Sequence, residues 1–283
     1  MKKAIIIPNS NKDTGLLITR KVISKLASLS VLSYVSEDYA ELSEQGAEIY
    51  SEIPKDAEAV IVVGGDGSVI DASRIALLLS VPILGVNMGK VGYLSEVDPS
   101  NLEILERLSK DDFSVEERML LTAEKTTNDG RTVTFDRFAV NDVVISHESY
   151  LGITDFRICN RRGDSVSYRA DGIIFSTSQG STAYSLSAGG PIVAHNLDTV
   201  IMTPICPHSL FNRSIIFEPE ECITIKNTGL DSLNISLDGR LVDTLMPNES
   251  CTIAMAEKRL KTVAFSEGNM FSTLFRKIKV LED

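Results

Sequence analysis

Four short apolar runs constrain this chain more than any other feature: AIIIP at 4–8, VLSYV at 31–35, AVIVV at 59–63 and PILGV at 82–86. A strand with one wet face alternates polar and apolar residues, whereas a continuous apolar strand must be covered on both faces. Helical patterns lie between these runs. Leu16, Ile23, Leu26 and Leu29 recur near a 3.6-residue period, and Ile70, Ile75 and residues 77–79 suggest a second helix. Strands and helices alternating in this way predict a parallel sheet with helices on both sides.

The pattern changes after NLEILERLSKDD (101–112), which is predicted to be a helix. From Glu116 onward, strand signals separated by turns dominate. The turn Asn128-Asp129-Gly130 joins EERMLLTAEKT to RTVTFDRFAV, and Arg161-Arg162-Gly163-Asp164 separates ITDFRICN from SVSYRADGIIF, both as in hairpins. SIIFE, CITIKN, LNISLDGRLV and SCTIAMA continue the β-rich character. The expected fold class is α/β: a Rossmann-like domain at 1–114 and a β-rich, sandwich-like domain at 115–261. The segment 262–283 is expected to return to the first domain, with GNMFSTLFRKI (268–278) as a helix.

Composition removes several classes of function. The chain has 283 residues, 28 basic against 39 acidic, a net charge of −11, and no basic stripe with interleaved aromatics. Nucleic-acid binders show the opposite balance, so no nucleic-acid partner is expected. Cys159, Cys206, Cys222 and Cys251 lie far apart without a C-x-x-C pair, which fits neither a disulfide framework nor a zinc ribbon and suits a reducing cytoplasm. His147, His195 and His208 have no metal-ligand spacing, so no metal site is expected. The apolar run after Lys2-Lys3 is too short for a signal peptide, and no run approaches the ~18 residues of a membrane span.

Chemistry enters at Gly64-Gly65-Asp66-Gly67-Ser68, where the third apolar run gives way to a helical pattern. Ligands of open α/β sheets bind at the carboxyl ends of strands, and glycines there let a phosphate approach the backbone. The segment is not G-x-G-x-x-G and not a P-loop, and GVNMGKVG (85–92) also fails the P-loop spacing. By itself the pentad fits a tight turn or a helix N-cap nearly as well. A second stretch, DGIIFSTSQGSTAYSLSAGG (171–190), passes from a strand into hydroxyls and glycines and then a predicted helix through Ala188. Such a run suits hydrogen bonding to a base and ribose, or else a Ser/Thr-rich surface loop. Asn141-Asp142 interrupts the apolar strand AVNDVVIS, where an amide and an acid need partners. A ribose diol is one candidate, and a bulge or turn satisfied by backbone is the other.

In order along the chain, GGDGS, GVNMGKVGYLSEV, ND, YRADGIIFSTSQGSTAYSLSAGGPIV, TPICPHSLFNRS and LDGR resemble the motifs of the NAD kinases. The block at 171–193 is the specific one, since lipid kinases and phosphofructokinases also carry GGDG. The resemblance implies Mg2+-dependent transfer of the γ-phosphoryl group of ATP, or of polyphosphate in some members, to the 2′-hydroxyl of the adenosine ribose of NAD, giving NADP. It further implies a cytoplasmic homodimer or homotetramer with small-molecule substrates and no membrane partner.

Residue by residue, the resemblance makes Asp66 the proton acceptor and sets Gly67 against the substrate phosphates. A carboxylate is a feeble base toward a hydroxyl, but a loose phosphoryl-transfer transition state makes positioning dominate. Asn141 and Asp142 match the Asn-Glu pair that holds the adenosine ribose, with an acid one methylene shorter. Arg169 and Asp171 match positions near the nicotinamide half, and Thr182, Ala183, Tyr184 and Ser187 match the lining of the NAD site. Gln179 stands where a proline-containing turn is usual and retains the ability to hydrogen-bond an adenine. Cys206 and Arg240 fall at NAD-contact positions, and Ser214 replaces a common proline. The departures at Asp142 and Ser178-Gln179 also admit a catalytically silent dinucleotide-binding sensor. A lipid or sugar kinase fits the 171–193 block less well, and an NAD-dependent oxidoreductase lacks both its glycine fingerprint and an acid/base pair.

Overall fold

The four apolar runs become neighbouring strands in the computed structural model, which describes residues 1–89, 92–147, 152–208 and 212–265. The chain divides into two compact units, Met1–Glu117 with Leu260–Asp283, and Arg118–Arg259. In the first unit the strands are β1 (Lys3–Pro8), β2 (Leu32–Ser36), β3 (Glu48–Tyr50), β4 (Ala59–Gly64), β5 (Ile83–Asn87), β6 (Ser95–Val97) and β7 (Ser114–Arg118). Helix α1 (Leu17–Ser28) follows β1, and helix α2 (Asp66–Leu79) follows β4. Every residue of β4 is buried, as a run without alternation requires. Ile6, Ile61, Val63 and Leu84 share a core with Val22, Ile23 and Leu26 of α1. Each such side chain contributes about 1.5–3 kcal/mol on burial.

The expected helix at 101–112 is shorter than its pattern suggests. A 3-10 turn (Leu102–Leu105) leads into a single α-turn, α3 (Glu106–Ser109). Asn101 supplies no side-chain cap, and only Leu105 and Leu108 are buried, so little holds a longer helix here.

The second unit carries β8 (Leu121–Thr126), β9 (Thr132–Thr134), β10 (Asp142–His147), β11 (Thr154–Cys159), β12 (Ser165–Ala170), β13 (Gly172–Ser176), β14 (Val200–Ile205), β15 (Ile215–Phe217), β16 (Ile223–Asn227), β17 (Leu233–Leu237), β18 (Arg240–Leu245) and β19 (Ser250–Met255). They form two six-stranded sheets, β15-β14-β13-β10-β17-β18 and β12-β11-β16-β19-β8-β9, whose strand pairs are antiparallel. Val143, Ile145, Ile173 and Phe175 of one sheet and Phe156, Ile158, Ile225 and Ile253 of the other enter one core, so the sheets are the layers of a sandwich. Both predicted hairpins form, with Gly130 (φ 83°) and Gly163 (φ 88°) supplying the left-handed turn residue. The chain then returns to the first unit as β20 (Leu260–Ala264), and that sheet reads β3-β2-β1-β4-β5-β20-β7, with β6 also on β5. The helix expected at 268–278 lies outside the described residues. Among the described residues, no helix is long and apolar enough to cross a membrane.

Candidate active site

In the first unit, the order β3-β2-β1-β4-β5 reverses direction between β1 and β4. The loops leaving the carboxyl ends of those two strands therefore diverge and open a crevice, the usual ligand position in such sheets. One loop is 9–13 and the other is the Gly64–Ser68 turn. Asn9 donates from its backbone N–H to Val63 (2.9 Å) and from Nδ2 to Ser68 Oγ (2.7 Å), which ties the loops together. Gly64 has no room for a side chain, since a Cβ there would lie 2.5 Å from Ser68 Oγ. At Gly65 a Cβ would fall 2.6 Å from Lys12 Nζ, so a cationic head stands over the turn. Gly67 is exposed, and nothing lies within 4 Å of its Cβ position.

Gly65 is the N-cap of α2, and Asp66 is the first helical residue. The Asp66 carboxylate is turned onto the segment before β6. It accepts from Tyr93 N–H at 2.8 Å, Leu94 N–H at 3.2 Å and Ser95 Oγ at 3.3 Å. A Cβ at Gly92 would come within 2.1 Å of Asp66 Oδ1, so that glycine makes the room the carboxylate occupies. Asp66 is thus a half-buried acid of fixed orientation beside an open glycine. Lys90 and Val91 of GVNMGKVG lie outside the described residues.

In the second unit, Asp142 pairs with Ser176 across β10 and β13, which brings Asn141 against the start of the Ser/Thr-rich segment. Thr177 donates from its N–H to Asn141 O (2.9 Å) and from Oγ1 to Val140 O (2.8 Å), and Oγ1 accepts from Gly180 N–H (2.9 Å). A Cβ on Gly180 would lie 2.0 Å from Asn141 O, so only glycine permits this approach. The helix expected through Ala188 is instead a 3-10 turn (Gln179–Thr182) and one α-turn, α4 (Tyr184–Ser187), broken at Ala183 (ψ −128°). The Ser181 hydroxyl ties this segment to the chain beyond Gly190, since Ser181 Oγ donates to Val193 O and accepts from Val193 N–H. Gln179 is 4 % exposed, and its Oε1 has no hydrogen-bond partner among the described residues. Thr182 and Ala183 are half-buried, and Tyr184 and Ser187 are exposed on α4.

Asp142 is only 5 % exposed. Burial, and then the neighbouring Asp238 charge, push its carboxyl up to about 7. Burial also raises Asp238, but three backbone N–H bonds and the Arg137 cation oppose that rise. Asp238 consequently carries the charge of the pair, and Asp142 takes the proton first.

The structure gathers Asn141, Asp142, Gln179 and Thr182 at one end of β13. Arg240, which is exposed, directly follows the turn that holds Asp238. Arg169, Asp171 and Cys206 stand at the other end. Asp171 N–H donates to Ile205 O, and His208 N–H to Arg169 O. The six residue steps from Asp171 to Thr177, which flank β13, set the two groups about 20 Å apart at ~3.4 Å per step. Arg169 and Cys206 are exposed. Lys12 and Asp238 were not singled out from sequence. Adjacency of β1 and β4 would have pointed to the loop carrying Lys12, and the Asp-Gly dipeptide of LDGR to a tight hairpin at Asp238.

Known proteins share both halves. Residues 5–113 match the family model described as the ATP-NAD kinase N-terminal domain, and residues 140–265 the ATP-NAD kinase C-terminal domain. An NAD kinase of Lachnoclostridium phytofermentans is 36 % identical, with 98 % of each chain covered. The chain belongs to the NAD kinase family. It is a kinase, a phosphotransferase whose relatives include an NAD kinase of Lachnospira eligens, 40 % identical over 90 % of this chain and 85 % of the relative. Among solved structures, an NAD kinase from Archaeoglobus fulgidus in complex with ATP superposes with a TM-score of 0.73 at 25 % identity, covering 98 % of both chains. Yeast NADH kinase complexed with NADH shares the kinase fold at a TM-score of 0.87 and 22 % identity, covering all of this chain and 89 % of the yeast chain.

Proposed function

We propose that this kinase transfers the γ-phosphoryl group of MgATP to the 2′-hydroxyl of the adenosine ribose of NAD, giving NADP and ADP. The 2′-oxygen forms a bond to the γ-phosphorus as the bond to the β,γ-bridging oxygen breaks, and the hydroxyl proton passes to Asp66. The fixed Asp66 carboxylate beside exposed Gly67 is the observation that carries this reading. A proton acceptor must stand within hydrogen-bond reach of its hydroxyl, and orientation by Tyr93 and Leu94 removes the entropy of aiming it. Mg2+ is read as part of the donor, where its charge offsets the repulsion between phosphate and Asp66.

In this reading Asn141 and Asp142 hold the ribose diol, and Gln179 and residues 182–187 line the adenine side. Arg169, Asp171, Cys206 and Arg240 contact the rest of the dinucleotide. The enzyme works in the cytoplasm as a homodimer or homotetramer. The test is NADP formation by the purified protein from NAD and MgATP, read with an NADP-specific dehydrogenase. Folded protein that makes no NADP from ATP or polyphosphate overturns the proposal, and NAD binding without turnover leaves a silent sensor.

A further inference from the structure

The backbone that carries Asn141 and Asp142 is held by two residues from different parts of the chain. Val140 N–H donates to Asp238 Oδ2 at 2.8 Å, and Asn141 and Asp142 N–H donate to Oδ1 at 2.7 and 3.1 Å. Asp238 returns its own N–H to Asp142 O at 2.9 Å. Thr177 holds the remaining carbonyls, Val140 O through its hydroxyl and Asn141 O through its N–H. All six backbone polar groups of the tripeptide are thereby satisfied, leaving only its side chains to meet a ligand.

Asp238 is well placed for this work. It opens the two-residue turn between β17 and β18, with φ 49° there and 74° at Gly239. Both central residues of a type I′ turn need positive φ, which Asp, Asn and Gly tolerate. Of these three, only Asp offers two acceptor oxygens to three donors.

We propose that Asp238 is a positioning residue for the dinucleotide: its carboxylate clamps residues 140–142 and so fixes Asn141 and Asp142 against the adenosine ribose. This rests on the ribose-holding role given to that pair above. Asp238→Asn tests it, because Asn keeps the turn but faces one of the three N–H donors with an NH2 group. The expected result is a rise of about 10- to 100-fold in KM for NAD, as for loss of a charge-assisted hydrogen bond, with KM for ATP unchanged. A merely structural defect lowers the folded fraction, hence the apparent kcat, and leaves both KM values alone.

A second readout is the pH profile of KM for NAD. The charged groups facing the pair are Asp142, Asp238 and Arg137. Removing the Asp238 charge lets Asp142 ionise at lower pH, so the profile should move to lower pH. If Asp238→Asn does not fold, Thr177→Val replaces it, removing the opposite clamp's hydroxyl, with Thr177→Ser as the restoring variant. An unchanged KM for NAD in a folded variant overturns the proposal. Failure of the wild-type protein to make NADP would instead overturn the function on which it rests.

Discussion

Replacing Asp142 by Asn separates what this carboxyl does to the fold from what it does for a ligand. Burial and the Asp238 charge raise it from 3.8 to about 7. An acid with a raised native pKa binds its proton more tightly when folded. Folding is therefore favoured fully below about pH 4, loses stability as pH climbs toward 7, and bears a constant penalty above that. The rise from 3.8 to about 7 corresponds to on the order of 4 kcal/mol at pH 8, of which only about 1.5 kcal/mol is present at pH 5. Asn cannot ionise. The stability gained by Asp142→Asn should then be larger at pH 8 than at pH 5 by about 2–3 kcal/mol, and any fixed cost of packing the amide cancels in that difference. Urea unfolding of both proteins at the two pH values measures it, followed by circular dichroism because the chain has no Trp. Equal stability differences at pH 5 and pH 8 would refute the reasoning.

Gly92→Ala places a methyl group 2.1 Å from Asp66 Oδ1. A side-chain end can move aside cheaply, so kcat should fall at least tenfold while the melting temperature changes by only a few degrees. Gly180→Ala is the opposite case, because its Cβ would lie 2.0 Å from Asn141 O and backbone cannot swing away. It should cost about 1–3 kcal/mol or more in urea unfolding and weaken NAD binding in calorimetry.

The central strands β1, β2, β4 and β5 of the first sheet were legible because they are covered on both faces, and that condition writes itself as runs such as 59–63, whereas β3 and β7, with exposed residues, carry no such run. The hairpins were legible through their glycines, which positive φ demands at Gly130 and Gly163. The break at Ala183 in the helix expected through Ala188 was not, since the Thr177 and Ser181 hydroxyls tie this segment to Val140 and Val193, partners that only the fold supplies. The same applies to Asp238. Its three donors lie 96 to 98 residues away in sequence, so nothing local distinguishes it from any other hairpin Asp-Gly. Asp66 could be found as an acid among glycines, but the N–H groups that orient it come from 93 and 94.

Phosphoryl transfer to a hydroxyl needs one proton acceptor, and each unit offers a carboxyl. Base strength recommends Asp142, since an acceptor raised to about 7 is matched to work at pH 7. Position favours Asp66, which stands at the carboxyl edge of the parallel sheet between open Gly67 and Gly65, the glycine that the Lys12 ammonium covers. In a loose transition state the proton leaves late, so placement outweighs basicity. Asp66→Asn should then lower kcat by about 10²–10⁴-fold with KM for NAD nearly unchanged. Asp142→Asn should act chiefly on KM, because an amide has one oxygen to offer a diol that a carboxylate meets with two. Steady-state kinetics of the two variants with NAD and MgATP decide between them. If the large kcat loss belongs to Asp142→Asn and Asp66→Asn retains turnover, Asp142 is the proton acceptor and Asp66 only shapes the phosphate end of the site.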